Sequence, residues 1–483
     1  MSQRTITMPM ARCNFGLERV DITPPTGINH RSWGAAKHDA STGLHKPLLG
    51  SVLAFQGLKG TEVNLLISLD LGWLQPGDLK QLTNNLSSNT GLPSECIVIT
   101  FSHTHAAGNF DPDRINKEGG SLIPGYLKGL ASDLAVTIKK VLSRIKPVEI
   151  SFGYGSCDLA YNRDYWDNDN QFYVCGTNPD RPGDNTILVT KIKDQESGNL
   201  VATIINYGCH PTTLAWDNTL ISPDYPGAMR EIIEKETGSP CVFLLGACGD
   251  LGPRFGFVGE TEVADQNGRQ LGYAALSALE GLLPGGHEMH YDGPVISGAT
   301  IGVWRHVAVD ANRKYQQEHF NSTVITLNVP LLDLPTQKEL DDEFAEWCQK
   351  EEIAISNRQN KEAGDCRAKI ERITRAMKRI KNLPPGSKIL PYGITLWRMG
   401  EAVLVMVNGE PYNLLQRELR THFPKTAIIV VVMCNTNGTG GYLLPEGDYG
   451  KGLYQEQATV IGAGGLEKVI QIISQQLSLW DLN

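Results

Sequence analysis

The sequence predicts an α/β protein with a mixed, mainly buried central sheet flanked by helices and a long helical insertion near 335–382. Three observations predict it. Short runs rich in Val and Ile recur at 63–70, 96–101, 201–207, 241–247, 402–407 and 427–433, and their length and β-branching suit buried strands. Segments with apolar residues at helical spacing lie between several of them, at 126–144, 224–236 and 265–282; such alternation builds a sheet covered by helices. Residues 335–382 are charged and poor in Gly and end at the Pro-Pro-Gly of 384–386, so they read as one or two long helices set between strands. These are expected to pack as a hairpin or to lie over a site as a lid.

Taken in chain order, the strands share one property: each runs into a polar loop. The run 63–70 ends in Asp70, which suits a cap for the next helix or turn. The run 96–101 enters Ser-His-Thr-His, where an extended chain would project His103 and His105 to the same side. After 201–207 comes His210, which Pro211 biases toward extended geometry. Asp224 stands before a helix pattern as a candidate cap. The run 241–247 leads into Gly-Asp-Leu-Gly-Pro-Arg, with Asp250, Gly252 and Arg254. The last two runs lead to Glu410, between Gly and Pro, and to Tyr442, after a Gly-rich turn. Strand ends are where α/β proteins place their chemistry, and five such loops could converge on one edge. Trp73, Tyr165 and Trp166 fit either a cleft wall or the core.

Composition narrows the function classes. The 483 residues are 41% hydrophobic and 20% charged, which is ordinary for a globular chain, and the net charge of −9 argues against nucleic-acid binding. A basic helix near 367–381 reads as a solvated face or a membrane-surface helix. Ten Cys without a CxxC pair, several inside apolar runs, read as free buried thiols. No N-terminal run has signal-peptide length and no stretch approaches the roughly 18 apolar residues of a membrane span, so a soluble cytoplasmic protein is expected. HExxH, GxSxG, the phosphate-binding GxxxxGK[ST] loop and GxGxxG are absent, which leaves hydride and phosphoryl transfer without local support.

The motifs GLERVDITPPTG, SLDLG, SHTHAAG, YNRD, NYGCHPT, SPDYPG, GACGDLGP, NGEP and NTNGTGGYLLPEGDYGKGLYQ occur in that order along the chain. In order and approximate spacing the chain resembles the catalytic domain of the neutral/alkaline, non-lysosomal ceramidases. The resemblance implies one zinc ion per chain, held by His103, His210, Glu410 and Tyr442. It implies that His105 lies near the metal and the substrate, that Arg163 contacts the substrate, and that Tyr454, twelve residues after Tyr442, joins them. Two departures accompany it. The family's Gly-Asp-x-Ser-Pro-Asn loop carries a catalytically important Ser where this chain has Gly252. The family also carries an immunoglobulin-like C-terminal domain, whereas residues 1–483 read as a single catalytic domain that includes the 335–382 insertion.

These readings lead to a zinc-dependent amidohydrolase that cleaves a carboxamide C–N bond through a metal-activated water, on a substrate other than ceramide. His105 is the candidate for proton transfer, Arg163 and Tyr454 for stabilising the oxyanion or holding the substrate, and Asp250 for orienting a ligand His. Arg254 would favour an anionic substrate group or pair with a nearby Asp or Glu. A true ceramidase and a non-catalytic zinc-binding homologue are the alternatives. The expected partner is a small-molecule or lipid-like amide, with no nucleic acid, and homo-oligomers stay open.

Overall fold

The computed structural model describes residues 4–381, 383, 386–436 and 440–482. Eight strands form the larger sheet: β1 (Met10–Asp21), β2 (Leu49–Gln56), β3 (Val63–Leu69), β4 (Ile97–Phe101), β5 (Lys146–Ser156), β6 (Thr186–Asp194), β7 (Leu200–Tyr207) and β8 (Cys241–Leu245). Their order is β8-β7-β6-β5-β1-β2-β3-β4, antiparallel except for the β7/β8 and β3/β4 pairs. Four more, β9 (Phe320–Pro330), β10 (Ile389–Met399), β11 (Ala402–Val407) and β12 (Ala427–Val431), form a second sheet in chain order, with β11 and β12 parallel.

The two sheets face each other. Phe152, Leu188, Ile204 and Leu244 of the larger sheet meet Trp397, Leu404, Met406 and Ile429 of the smaller one. Alternate residues on the same strands face outward and are covered by helices. Helices α1 (Pro76–Thr90) and α2 (Ile123–Leu142) lie on β2–β4, and α3 (Tyr225–Thr237) and α4 (Thr261–Glu280) lie toward β6–β8. Further helices (Leu414–His422 and Gly465–Leu479) cover the smaller sheet. Both faces of each central strand are therefore buried, which is why these strands read as continuous apolar runs instead of alternating ones. Each fully buried Leu, Ile or Phe contributes about 1.5–3 kcal/mol of transfer free energy. The expected α/β architecture with a buried, helix-flanked sheet is present, but as two facing sheets where one was anticipated.

The insertion forms α5 (Gln337–Ser356) and α6 (Asn360–Lys381), which pack against each other. Thr336 starts α5 with a capping box: its hydroxyl accepts from the Glu339 amide at 3.2 Å and its amide donates to the Glu339 carboxylate at 2.7 Å. All ten Cys are free thiols, as expected, and no helix among the described residues is long and apolar enough to cross a membrane.

Strand directions carry the consequence for the site. In a flat sheet β4 and β7 would end at opposite edges. They are six positions apart, and the twist of roughly 20–25° per pair accumulates to roughly 120–150° over six steps. The sheet curls until its ends touch, with the Ser68 hydroxyl donating to the Phe243 carbonyl at 3.0 Å. The chain leaving β4 and the chain leaving β7 then share one mouth. Asp70 does not cap a helix as expected. Its carboxylate takes both Arg230 nitrogens of α3, at 2.9 and 2.5 Å, and accepts from the Leu49 amide at 2.9 Å. Asp224 does cap α3, accepting from the Tyr225 amide at 2.6 Å and also from the Leu214 amide at 2.9 Å.

Candidate metal centre

His103 sits just beyond β4 in a left-handed conformation, with φ 67°. The expected extended spacing of His103 and His105 is thus replaced by a tight turn, although the rings still adjoin with centroids 4.8 Å apart. The His103 amide donates to the Leu71 carbonyl at 3.0 Å and its Nδ1 donates to the Gly72 carbonyl at 2.7 Å. A side chain at Gly72 would press on the Thr104 carbonyl at 3.0 Å, so Gly is needed for that close approach. His210 is fixed in the same way: its Nδ1 faces the Cys248 and Leu251 carbonyls at 2.7 and 3.0 Å. In both rings Nδ1 carries the proton, so Nε2 presents a lone pair.

Glu410 faces both Nε2 atoms. Its Oε2 lies 2.7 Å from His210 Nε2 and 3.5 Å from His103 Nε2. These three side chains form a group whose ligand atoms all lie within 4.8 Å of one another and could hold a metal ion. Burial opposes the Glu410 charge, but the two histidines outweigh it and hold the carboxyl well below its usual range. Burial together with the nearby Arg163 lowers the His210 imidazole to about 4, so it is neutral. Neutral imidazole and an ionised carboxylate are the donor forms zinc takes.

Tyr442 reaches the same point through a short parallel ladder. Glu410–Pro411 pairs with Tyr442–Leu443, and Glu410 and Tyr442 are direct partners. Gly409, at φ 72°, lets that ladder close, since a side chain there would meet the Gly441 carbonyl at 2.3 Å. The Tyr442 ring stacks on His210, with centroids 6.4 Å apart, and burial raises its phenol well above the ordinary value. Arg163 is buried with its guanidinium 5.2 Å from the centre of the Tyr442 ring. Its Nε and Nη2 donate to the Gly249 carbonyl at 3.2 and 2.7 Å. Tyr454 closes the row edge-on to Tyr442, centroids 5.9 Å apart, and is 42% exposed toward the opening.

No family model matches this sequence, and no curated protein matches it. Among solved structures, the neutral ceramidase from Pseudomonas aeruginosa is similar at TM-score 0.61 and 15% identity, over 97% of this chain and 74% of that one. A ceramidase complexed with C2 is similar at TM-score 0.62 and 14% identity, with the same coverage. The fold is ceramidase-like. At such identities the likeness speaks for the fold alone, and the ceramidase-like fold places His103, His105, His210, Glu410, Tyr442, Arg163 and Tyr454 around one point.

Asp250 and Arg254 take other positions. Asp250 does not touch a histidine: its carboxylate accepts from the Asn413 amide at 2.7 Å, and burial pushes it up to about 6. Backbone carbonyls orient the His103 and His210 rings in its place. Arg254 donates to Asp158 at 3.2 Å and lies 4.8 Å from the centre of the Phe255 ring. Removing it as Arg254→Ala is expected to cost less than about 1 kcal/mol in urea unfolding, the range of an exposed ion pair, and to leave zinc content unchanged. Gly252 lines the site without a packing need for Gly, since an added Cβ would find Arg163 Cδ and Thr212 Oγ1 each at 3.9 Å. That Thr212 hydroxyl is buried and has no hydrogen-bond partner.

Sequence reasoning missed the wall around His105. Trp33 lies tilted against its ring at 5.0 Å and Trp73 meets it edge-on at 5.8 Å, with Trp216 and Phe257 packed behind Trp33. Both His105 nitrogens are buried without a protein partner, and burial with the nearby His103 keeps the ring neutral. Trp73 is therefore a wall residue, whereas Tyr165 and Trp166 are partly exposed on a separate hairpin. Nothing local in the sequence marks Trp33, which lies far from the histidines along the chain.

Proposed function

We propose that this protein is a zinc-dependent hydrolase of a carboxamide bond. One observation carries the reading: ligand atoms of His103, His210 and Glu410 gather within 4.8 Å of one another, with Nδ1 of each ring already engaged by backbone carbonyls on the other side. Two imidazole nitrogens and a carboxylate turned toward one point are donor types that a zinc ion takes. Tyr442 completes a donor set of two imidazoles, a carboxylate and a phenol.

A zinc ion held there supplies a Lewis acid that polarises a carbonyl and lowers the pKa of water. The chain's own groups do the rest. The Gly72, Cys248 and Leu251 carbonyls fix the ring tautomers, and Arg163 positions Tyr442 and the Gly249 turn. His105, whose nitrogens are free of protein partners, holds or moves the proton at the leaving nitrogen. Tyr454, at the opening, orients the substrate. Thr212 offers a hydroxyl beside Gly252, where the ceramidase resemblance implies that one is missing. The aromatic wall of Trp33 and Trp73 excludes water on the acyl side.

The test is a panel of N-acyl amides assayed on zinc-loaded protein, before and after stripping with a chelator. Hydrolysis that vanishes on stripping and returns with zinc supports the reading. Zinc bound at about one per chain with no amide cleaved leaves a binding protein, and no zinc at all removes the reading.

A further inference from the structure

The basic helix α6 does not face bulk solvent on all sides. It spans two walls of the mouth. One is the 31–39 loop, which carries Trp33 against His105. The other is the 454–457 turn, which carries Tyr454 against Tyr442. On the first wall, Arg375 Nη2 donates to the Ser32 carbonyl at 2.9 Å and Arg367 contacts Asp39 at 3.4 Å. On the second, Arg372 donates to the Gln457 side chain at 3.1 Å and Arg379 to the Gln457 carbonyl at 3.4 Å.

The charges on this helix are of two kinds. Arg367, Arg372 and Lys378 each find a carboxylate, on Asp39, Glu343 and Asp111 with Asp113. Arg375 and Arg379 make no ion pair among the described residues. Glu371, one helical turn from Arg375, is hydrogen-bonded by Arg114 at 3.0 Å and shares its charge among Arg114, Arg375 and Arg31. Arg375 is near enough to act on the ionisation of both His105 and Tyr454. Arg379 in turn feels Tyr454, Tyr442 and Glu410, and burial weakens its charge.

Two like charges four residues apart repel along a helix, and their partial burial costs more. An arrangement of that sort is stable when a counter-charge arrives from outside. We propose that Arg375 and Arg379 form a binding site for an acidic group, carboxylate or phosphate, on the substrate of the neighbouring metal centre. The inference rests on the hydrolase reading and names its substrate class: an acylated amide with an anionic headgroup. It moves the cationic recognition expected of Arg254 onto the inserted helix. Arginine suits the task because its planar fork meets either oxyanion with paired hydrogen bonds.

The test uses three matched probes: N-hexanoylethanolamine, which is neutral, N-hexanoylglycine and N-hexanoyl-phosphoethanolamine. Binding is measured by calorimetry on zinc-loaded wild type, on R375Q/R379Q, and on K369Q as a control on the exposed face of the same helix. Wild type should bind at least one acidic probe about ten- to a hundredfold more tightly than the neutral one, the range of one to two charge-assisted hydrogen bonds. The double variant should lose that margin while K369Q keeps it, and both should bind the neutral probe as wild type does; a merely structural role would weaken all three probes alike in the double variant. The carboxylate and phosphate arms tell which acid is preferred. Equal binding of all three probes by wild type, or an undiminished margin in R375Q/R379Q, overturns the proposal. Acidic probes that bind but are never cleaved would leave this site standing and remove the hydrolase reading; amides cleaved without acidic preference would do the reverse.

Discussion

Glu410→Gln is expected to abolish zinc retention and amide hydrolysis while leaving the fold intact. The carboxylate is the one full negative charge at the centre, set 2.7 and 3.5 Å from two imidazole nitrogens. An amide oxygen in its place keeps the shape and loses the charge that balances a divalent cation. Substitutions even behind the ligands of a metal site cost about ten- to a hundredfold in metal affinity, so loss of a ligand charge should exceed about a hundredfold. Lewis-acid stabilisation is worth several kcal/mol, so hydrolysis should fall by about a thousandfold or more. The amide also brings an N–H that can donate to the His210 lone pair. The metal-free variant should therefore melt no lower than metal-free wild type. Zinc titration followed by elemental analysis, with melting curves of both apo proteins, reads each part. Zinc retained at wild-type affinity would mean that the ion is held elsewhere.

Arg230→Met is expected to destabilise the protein by about 3–5 kcal/mol, because it strands a buried carboxylate. Asp70 is 2% exposed and Arg230 6%, and the two make a bidentate pair. Methionine fills the stem volume of Arg and brings no charge. Adding Asp70→Asn removes the stranded charge and keeps an acceptor for the Leu49 amide, so the double variant should regain most of the loss. Urea unfolding of the three proteins measures this. A double variant as unstable as the single one would show that the pair matters for packing and not for charge compensation. The pair also bears on chemistry: Asp70 is followed by Leu71 and Gly72, whose carbonyls hold the His103 amide and ring. Zinc affinity should fall with stability in Arg230→Met and return in the double variant.

Much of this molecule was legible residue by residue. The apolar runs at 63–70, 201–207 and 402–407 became strands within a residue or so, and the charged stretch 335–382 became two helices. The residues alone marked polar loops after buried strands, and it was the resemblance to the ceramidases that singled out the candidate ligands among them. His103, His210, Glu410 and Tyr442 do meet. Local pattern misled where the answer depended on distant partners. Asp70 looks like a cap and is half of a buried ion pair. Asp250 looks like a histidine orienter and holds the Asn413 amide. Of the two readings open for Arg254, the pair with an acidic residue is the one present, on Asp158, while Arg375 and Arg379, which look like a solvated face, hydrogen-bond the Ser32 and Gln457 carbonyls.

The sequence by itself determined the strands, the helices and the chemical type of each loop, because periodicity and turn residues act over a few neighbours. Only the tertiary structure decided which loops meet. The accumulated twist of the eight-stranded sheet brings the ends of β4 and β7 together, and the facing sheet delivers Glu410 and Tyr442 in register. The inserted helix α6 then hydrogen-bonds the Ser32 and Gln457 carbonyls, beside Trp33 and Tyr454. Those outcomes depend on pairing and twist summed across the whole sheet, which no local stretch of sequence encodes.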